Sequence, residues 1–317
     1  MTRNETEPMK CIVIGGGGFI GSHLSEALLA EGHKVTVFDR GRSANLEMLK
    51  QKGATFCLGD FFNIDDLQRA LENQDVVFHL LSTTVPQTSN EDPVYDVETN
   101  VSGTLRLLNA ARDTAVKKVI FASSGGTVYG IPQEIPIKET HPTDPTSSYG
   151  IGKLIIEKYL YMYSILYGLD YCILRIANAY GERQKPAATQ GAIPVFLERA
   201  LRNHEINVWG DGSVMRDYIF ITDVSNALVK ALAYSGEMKL FNIGSGHAHS
   251  LNDVIQVMEE VTGRPLRVKY TPGRSFDVPI SVLDISRARS YLNWTPTINL
   301  LEGITRTYLW MLKESKG

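Results

Sequence analysis

One glycine-rich stretch near the start of the chain constrains the fold more than any other feature. Residues 11–14 are four consecutive apolar side chains that predict a buried strand, and apolar residues at helical spacing follow from residue 20. Gly15, Gly18 and Gly21 lie at the junction, where glycine lets the backbone approach a ligand closely. The free N–H groups at the start of the predicted helix suit an anionic pyrophosphate. The stretch therefore favours dinucleotide binding over an ordinary glycine-rich turn.

A second predicted strand, residues 34–38, ends in Asp39 about 20 residues after the glycines. A carboxylate at this position accepts hydrogen bonds from the adenosine ribose hydroxyls and repels a 2′-phosphate, which favours NAD over NADP as the cofactor. Arg40 and Arg42 stand beside it and could hold such a phosphate, so NADP stays open at this point.

Strand-like runs alternate with helical patterns through the first half of the chain. Further strands are predicted at residues 54–58, 75–80, 117–122 and 171–176. Repeated β-α-β units imply an α/β fold, a Rossmann-type doubly wound parallel sheet with a smaller C-terminal α/β lobe that binds substrate. We expect residues 9–180 to form the NAD-binding Rossmann domain and residues 181–317 the substrate-binding lobe, with parts of that lobe packing back on the first domain.

Composition excludes several classes of partner. The chain has 317 residues and a net charge of −3, which gives no electrostatic case for binding nucleic acid or an anionic membrane. Residues 1–10 are polar and no long apolar run occurs, so we expect neither a signal peptide nor a membrane span. Cys11, Cys57 and Cys172 are far apart, which argues against a disulfide framework or a metal site and fits a reducing cytoplasm.

Tyr149 and Lys153 are the candidate catalytic pair. They stand at i and i+4 on a predicted helix whose expected N-cap is Ser147 or Ser148. A nearby ammonium group, together with the positive charge of an oxidised nicotinamide, stabilises a phenolate and lowers the tyrosine pKa below its free value of about 10. The phenol then exchanges a proton with a sugar hydroxyl while hydride passes to the cofactor. This spacing also occurs by chance on helix surfaces, but here it follows a dinucleotide fold and a serine-rich strand end.

The same helix carries two adjacent apolar stripes. The stripes consist of Ile155, Tyr159, Met162 and Leu166, and of Ile156, Leu160, Tyr163 and Tyr167. One stripe can cover the sheet, so the second predicts a homodimer in which this helix pairs with a helix expected at residues 101–111. Burial of the second stripe under the C-terminal segment is the alternative.

Short motifs occur in a fixed order along nearly the whole chain. They are residues 15–21, 59–60, 79–81, 100–104, 127–130, Tyr149 with Lys153, residues 175–181, 209–212, 216–218, Arg274 with Asp277, and residues 292–296. This ordered set resembles the extended short-chain dehydrogenase/reductase family, specifically its nucleotide-sugar epimerases and dehydratases. The resemblance implies NAD as the cofactor and a UDP- or dTDP-linked sugar, of the kind used in polysaccharide biosynthesis, as the substrate.

The resemblance also implies a role for each matching position. Tyr149 and Lys153 are the catalytic residues and contact NAD, and Ser124 or Thr127 supplies a second catalytic hydroxyl. The other implied NAD contacts are Gly15, Gly18, Phe19, Ile20, Gly21, Asp39, Arg40, Asp60, Phe61, Leu80, Ser82 and Asn100. The implied substrate contacts are Thr84, Ser124, Asn178, Arg216, Arg274, Asp277 and Ser281. Within these sets, Asp60 and Phe61 flank the adenine and Asn100 steadies the active-site loop. Asn178 and the two arginines hold the diphosphate, for which the several N–H donors of arginine are well suited.

The clearest departure from the family is Gly125, at a position where relatives carry the Ser or Thr that shares the proton with the tyrosine. We expect Ser124, rather than Thr127 or a water molecule, to replace that hydroxyl. Gly126 and Thr127 stand where the dehydratases carry an Asp-Glu pair, which argues against 4,6-dehydration. Ser281 stands where some relatives restricted to plain hexoses carry a bulky aromatic residue, so we expect room for an N-acetyl group at C2.

The leading interpretation is a nucleotide-sugar 4-epimerase with tightly bound NAD. Hydride leaves C4, Tyr149 takes the hydroxyl proton, the 4-keto sugar turns over and hydride returns to its other face. The alternatives are an NAD(P)H-dependent nucleotide 4-keto-6-deoxysugar reductase, which consumes its cofactor, and a non-catalytic dinucleotide-sensing protein. Retention of the nucleotide without need for an external reductant distinguishes the epimerase from the reductase, and turnover of a nucleotide sugar excludes the sensor.

Overall fold

A seven-stranded parallel sheet forms the centre of the protein. The computed structural model describes residues 8–41, 43–185, 191–273 and 278–315. In spatial order the strands are β10 (Leu240–Ile243), β6 (Asp170–Ile176), β5 (Lys118–Ser124), β4 (Val76–His79), β1 (Lys10–Ile14), β2 (Lys34–Asp39) and β3 (Thr55–Leu58). Every neighbouring pair is parallel. The strand order reverses between β1 and β4, which is where a doubly wound sheet binds its ligand.

Helices cover both faces of this sheet, and further helices pack around the smaller strands of the C-terminal part. They are α1 (Phe19–Ala30), α2 (Ala44–Gln51), α3 (Ile64–Leu71), α4 (Pro86–Ser89), α5 (Pro93–Asp96), α6 (Gly103–Asp113), α7 (Ser148–Tyr167), α8 (Ala192–Leu201), α9 (Ile221–Ala233), α10 (Leu251–Thr262), α11 (Ser286–Leu292) and α12 (Leu300–Glu314). Val13 and Leu24 belong to the core on one face, and Ile12 and Leu108 to the core on the other. The helices that the structure describes include none long and apolar enough to cross a membrane.

The chain after β6 builds a second, smaller set of strands. They are β7 (Asn178–Tyr180), β8 (Ile206–Trp209), β9 (Met215–Phe220), β11 (Ala248–Ser250), β12 (Val268–Thr271) and β13 (Ile280–Ser281). β9 pairs with β7, β11 and β13, and β12 pairs with β8. This part also returns to the first, since β10 joins the edge of the main sheet and α9 packs on α1. The division of the chain at residue 180 stays a prediction.

The helix expected at residues 101–111 is α6, and a π-helix, Val97–Ser102, directly precedes it. The apolar spacing did not indicate this wider turn, because a π-helix adds one residue per hydrogen-bonded turn without changing the composition. The prediction for α7 is confirmed at its start, where the Ser147 side chain accepts a hydrogen bond from the Gly150 N–H at 3.2 Å.

Candidate active site

The glycine turn between β1 and α1 forms a cradle that fits a pyrophosphate. Gly15 has φ +80°, a backbone conformation that L side chains rarely adopt. A Cβ atom on Gly21 would lie 2.3 Å from the Gly15 carbonyl oxygen, so only glycine lets α1 begin this close to the turn. Gly18 is the N-cap and no side chain caps the helix. The N–H groups of Phe19 and Ile20, which open α1, are therefore among those with no partner inside the helix.

Asp39 lies at the carboxyl end of β2, beside this turn. Its Oδ2 accepts a hydrogen bond from the Gly17 N–H at 3.1 Å, and its Oδ1 accepts one from the Arg40 N–H at 2.8 Å. The carboxylate is thus fixed next to the cradle, as hydrogen bonding to an adenosine ribose requires. The Arg40 side chain is exposed, and Arg42 lies outside the described residues.

Asp60 and Phe61 follow β3, but their side chains point into different surroundings. The Phe61 ring is 4% exposed and stacks on the His79 ring with 5.5 Å between centroids. Only the backbone of Phe61 is therefore available to an adenine ring. The Asp60 Oδ1 accepts a hydrogen bond from the Phe62 N–H at 2.9 Å, and Asp60 donates its own N–H to Asp66.

Asn100 ties the loop after β4 to the π-helix. Its Oδ1 accepts hydrogen bonds from the Thr83 N–H at 2.9 Å and from the Ser82 hydroxyl at 3.4 Å, and its Nδ2 donates to the Thr84 hydroxyl at 3.0 Å. Asn100 steadies this loop, which begins with Leu80 and reaches the cofactor side of the sheet. Thr84 is buried and also donates to Asp96, so its predicted contact with substrate stays a prediction.

Tyr149 and Lys153 lie together at the carboxyl end of β5. The Lys153 Nζ stands 5.4 Å from the centre of the Tyr149 ring and donates a hydrogen bond to the Ala122 carbonyl oxygen at 2.9 Å. The Tyr149 backbone N–H donates to the Ser89 hydroxyl at 3.0 Å. The i, i+4 spacing therefore produces the predicted adjacency, and β5 anchors the lysine.

Burial governs the proton affinity of both groups. Burial, and then the negative charge of Asp96, raise the pKa of Tyr149 to about 12, whereas burial lowers the pKa of Lys153 to about 8. The Lys153 ammonium therefore does not offset desolvation of the phenolate by itself. The lowered tyrosine pKa expected from the sequence also depends on the positive charge of an oxidised nicotinamide, and it stays a prediction.

A buried ion pair behind the catalytic pair was missed by sequence reasoning. Arg175 on β6 donates from Nε and Nη2 to the Glu157 carboxylate at 3.0 and 2.6 Å, and the Ser123 hydroxyl donates to the same carboxylate at 2.5 Å. Glu157 follows Lys153 by four residues on α7, and this spacing, which places both on one helix face, was the one sequence feature that could have indicated its position. Ser123 faces this ion pair, and the next residue, Ser124, points to the opposite face because alternate residues of a strand do so.

At Gly125, where relatives carry a Ser or Thr, a side chain from the C-terminal part of the chain occupies the space that their hydroxyl group would need. A Cβ atom on Gly125 would lie 2.5 Å from Cδ1 of Leu283 and 3.1 Å from the Arg175 carbonyl oxygen. Ser124 is half-buried at the end of β5. The Thr127 hydroxyl is buried and has no hydrogen-bond partner within the described protein. Both hydroxyls thus remain candidates, and the structure explains why residue 125 has no side chain.

A cleft of about 260 Å³ is lined in part by Asn178, whose Oδ1 would lie 4.0 Å from a Cβ atom on Gly126, in the loop that follows β5. Asn178, Trp209, Arg216 and Tyr218 are among the residues that line it. Asn178 donates from Nδ2 to the Asp217 carbonyl oxygen at 3.0 Å, and Arg216 donates to the Val278 carbonyl oxygen at 2.6 Å. The cleft therefore combines a cation, an amide and aromatic rings, a set suited to a nucleotide diphosphate.

Ser281 on β13 lies opposite Arg216 of β9 in the parallel register, so the predicted sugar-pocket residue and the predicted diphosphate residue are neighbours. Arg274 and Asp277, the other two predicted substrate contacts, lie outside the described residues.

Proteins similar to this chain are NAD-dependent epimerases. The profile of the NAD dependent epimerase/dehydratase family matches residues 11–244. A UDP-glucose 4-epimerase of Mycolicibacterium smegmatis is 39% identical over 304 residues, which cover 94% of this chain and 97% of that protein. The structure of a Thermotoga maritima UDP-glucose 4-epimerase with UDP-glucose has a TM-score of 0.91 and 36% identity, and the match covers 97% of this chain and 100% of that one. The structure of a Methanobrevibacter ruminantium UDP-N-acetylglucosamine 4-epimerase in complex with UDP-N-acetylmuramic acid has a TM-score of 0.91 and 30% identity. The match covers 98% of this chain and 100% of that one.

Proposed function

Since this chain belongs to the NAD dependent epimerase/dehydratase family and is an NAD-dependent nucleotide-sugar epimerase, we propose that it inverts C4 of a UDP-linked hexose with Tyr149 as the base. The observation that carries the proposal is the adjacency of Tyr149 and Lys153 at the carboxyl end of β5, on the same edge of the sheet as the glycine cradle. UDP-glucose is the first candidate substrate, because relatives that share 36% and 39% identity are UDP-glucose 4-epimerases.

A specific side chain is assigned to each part of the proposed reaction that the protein itself performs. NAD, when bound, supplies the hydride acceptor and later the hydride donor. Tyr149 takes the proton of the C4 hydroxyl and returns it, and Lys153 keeps a positive charge beside the phenol. Ser124 orients the C4 oxygen and relays the proton. Burial raises the Tyr149 pKa to about 12, and the positive charge of an oxidised cofactor beside Lys153 would lower it toward the range in which the phenol acts as a base.

Arg216 and Asn178 hold the substrate diphosphate in this proposal, and Ser281 leaves room at C2. The cleft that the first two line supports this role, as does the register of Ser281 with Arg216. Arg274 and Asp277 complete the substrate contacts as predictions from the family resemblance. A dTDP-linked sugar is the alternative substrate.

The enzyme acts as a homodimer in this proposal. In the first stripe on α7, Met162 and Leu166 are 37% and 60% exposed, whereas Ile156 and Leu160 of the second stripe are buried. Ile165, which belongs to neither stripe, is 67% exposed beside Leu166. An apolar stripe of this kind favours burial against a second copy. Tyr163 was expected at the dimer contact, but it is buried within the protomer, where its hydroxyl donates to Asn109 at 2.7 Å.

We also place the enzyme in the cytoplasm. Cys11, Cys57 and Cys172 are free thiols, and Cys11 and Cys172 lie in strands of the main sheet. Free thiols are typical of proteins in a reducing compartment.

The decisive experiment incubates the purified protein with UDP-glucose and no added cofactor, and follows formation of UDP-galactose by NMR. The proposal expects turnover, and mass spectrometry of ligands released by denaturation should find NAD. Turnover of a 4-keto sugar that requires added NAD(P)H, without epimerisation, would support the reductase instead. Tight NAD binding with no turnover of UDP-glucose, UDP-N-acetylglucosamine or UDP-glucuronate would support the sensor.

A further inference from the structure

Asp96, the last residue of α5, is a buried carboxylate directly beside the catalytic helix. It is 1% exposed and accepts hydrogen bonds from three elements. The Asn100 Nδ2 donates to its Oδ1 at 2.9 Å, the Thr84 hydroxyl donates to the same oxygen, and the Ser148 hydroxyl donates to Oδ2 at 2.7 Å. All three partners donate, which is the pattern that an ionised carboxylate requires.

The carboxylate faces the first turn of α7. It bonds to Ser148, and a Cβ atom on Gly152 would lie 3.6 Å from its Oδ2. Tyr149 directly follows Ser148 in the sequence, and Lys153 directly follows Gly152. Asp96 is therefore placed against the same helical turn that carries the catalytic pair.

Asp96 differs from Glu157, the other buried carboxylate of this site, in forming no direct ion pair within the described part of the chain. Glu157 forms a bidentate ion pair with Arg175. None of the lysine and arginine residues in the described ranges forms an ion pair with Asp96. Its three hydrogen-bond donors are all neutral, so its negative charge is left to act on its surroundings. In a buried site such a charge is weakly screened.

We propose that Asp96 is a positioning residue for the reaction proposed above: its charge, placed against the turn of α7 that carries Tyr149 and Lys153, opposes ionisation of the Tyr149 phenol and keeps Lys153 cationic. The positive charges of Lys153 and of an oxidised nicotinamide must offset this charge before the phenol acts as a base. The inference rests on the proposed roles of Tyr149 and Lys153.

The electrostatics of the surrounding groups agree with this geometry. Asp96 is the charged group that raises the pKa of Tyr149, and it opposes the lowering of the Lys153 pKa more strongly than Glu157 does. The other titratable groups packed around the pair are Arg175, which Glu157 neutralises, and His79 on β4. Burial and then Lys153 lower the pKa of His79 to about 3, so that ring is neutral at physiological pH.

Asp96→Asn removes the charge and keeps the hydrogen bonds. The amide oxygen can still accept from Thr84 and Asn100, and the amide nitrogen can donate to the Ser148 hydroxyl, which is also an acceptor. Ser148→Ala is the matched control, because it removes one hydrogen bond to Asp96 and leaves the charge in place. Asp96→Ser, whose hydroxyl both donates and accepts, replaces Asp96→Asn if that variant does not fold.

The first measurement is an ultraviolet tyrosinate titration of the purified protein, with Tyr149→Phe as the blank for the other tyrosines among the chain's 14. Removing a negative charge eases ionisation of a phenol and deprotonation of an ammonium, so both pKa values must fall. We expect Asp96→Asn to lower the Tyr149 pKa by about one pH unit and Ser148→Ala to leave it unchanged. The second measurement is the pH profile of kcat, whose two limbs should both move to lower pH in Asp96→Asn.

Two outcomes would overturn the inference. One is a Tyr149 titration that is the same in Asp96→Asn and wild type. The other is an equal shift in Ser148→Ala, which would assign the effect to the hydrogen bonds and not to the charge. Failure of the proposed function gives a different result, since Tyr149→Phe would then retain activity while the tyrosinate titration of Tyr149 still responds to Asp96.

Discussion

Replacing Tyr149 with phenylalanine removes the phenolic oxygen and keeps the ring that packs 5.4 Å from the Lys153 Nζ. That oxygen is the only proposed base, so we expect kcat to fall by about 10²- to 10⁴-fold while NAD binding and thermal stability stay as in wild type. The epimerase assay and mass spectrometry of released NAD measure the two effects. Tyr291→Phe, an exposed tyrosine on α11, is the control and should be silent. Full activity in Tyr149→Phe would exclude this mechanism.

The second hydroxyl of the reaction is a prediction about Ser124. Leu283 occupies the space beside Gly125, so the relay cannot come from residue 125. Ser124→Ala should slow turnover by roughly 10²-fold, the lower end for a positioned acid–base group. Thr127→Val is the comparison, because the buried Thr127 hydroxyl bonds to none of the described residues and we expect its loss to alter kcat less. A large fall in kcat in Thr127→Val alone would assign the proton relay to Thr127 instead of Ser124. Little change in kcat in either variant would assign the relay to a water molecule.

Ser281 tests the size of the sugar pocket. Its small side chain, next in register to Arg216, is expected to admit both a plain hexose and one with an N-acetyl group at C2. Ser281→Tyr should reduce kcat/KM for UDP-N-acetylglucosamine by at least about 10-fold and change that for UDP-glucose much less, since only the larger substrate needs the added space. The ratio of the two kcat/KM values is the measurement. Rejection of the acetylated sugar by wild type would contradict the prediction.

At the scale of elements, the Glu157–Arg175 ion pair holds α7 against β6, and the Ser123 bond to Glu157 holds it against β5. Glu157→Gln leaves a buried guanidinium without its counter-charge, so we expect the free energy of unfolding to fall by about 3–5 kcal/mol. Urea denaturation measures it. Glu198→Gln breaks the exposed i, i+4 pair with Arg202 and should cost no more than about 0.5 kcal/mol. Equal losses of unfolding free energy in the two variants would show that the buried ion pair stabilises the fold no more than the exposed one.

The same elements show which features of the fold and of the candidate site can be predicted from the sequence and which cannot. Six of the seven strands of the main sheet were predicted within one or two residues, because buried parallel strands are continuous apolar runs. Tyr149 and Lys153 were found because they lie on one helix, where spacing determines adjacency. Glu157 and Asp96 were missed because their partners, Arg175 and Ser148, are distant in sequence and only the tertiary fold joins them. The π-helix before α6 was missed because its composition is that of an ordinary helix.

At the scale of the whole molecule, the packing of the two parts of the chain also fixes the site. β10 closes the edge of the Rossmann sheet, and Leu283 from the C-terminal part fills the space beside Gly125. The buried Asp217 accepts hydrogen bonds from the N–H groups of Ser245 and Leu283, which joins the segment after β10 to the segment after β13. The C-terminal part of the chain therefore contributes a side chain at the end of β5, where Ser124 lies.

The homodimer is a prediction about the exposed face of α7, where Ile165 and Leu166 lie in water in the isolated protomer. Covering such side chains contributes roughly 25 cal/mol for each Å² of apolar surface removed from water, so we expect association at micromolar concentration. Light scattering of wild type should give twice the chain mass of 35.2 kDa. Ile165→Arg introduces a charge at the contact and should give the single-chain mass, with the fold intact by circular dichroism. Leu309→Arg, an equally apolar and 51% exposed position on α12, should remain dimeric. A monomeric wild type, or dissociation in both variants alike, would contradict an interface through α7.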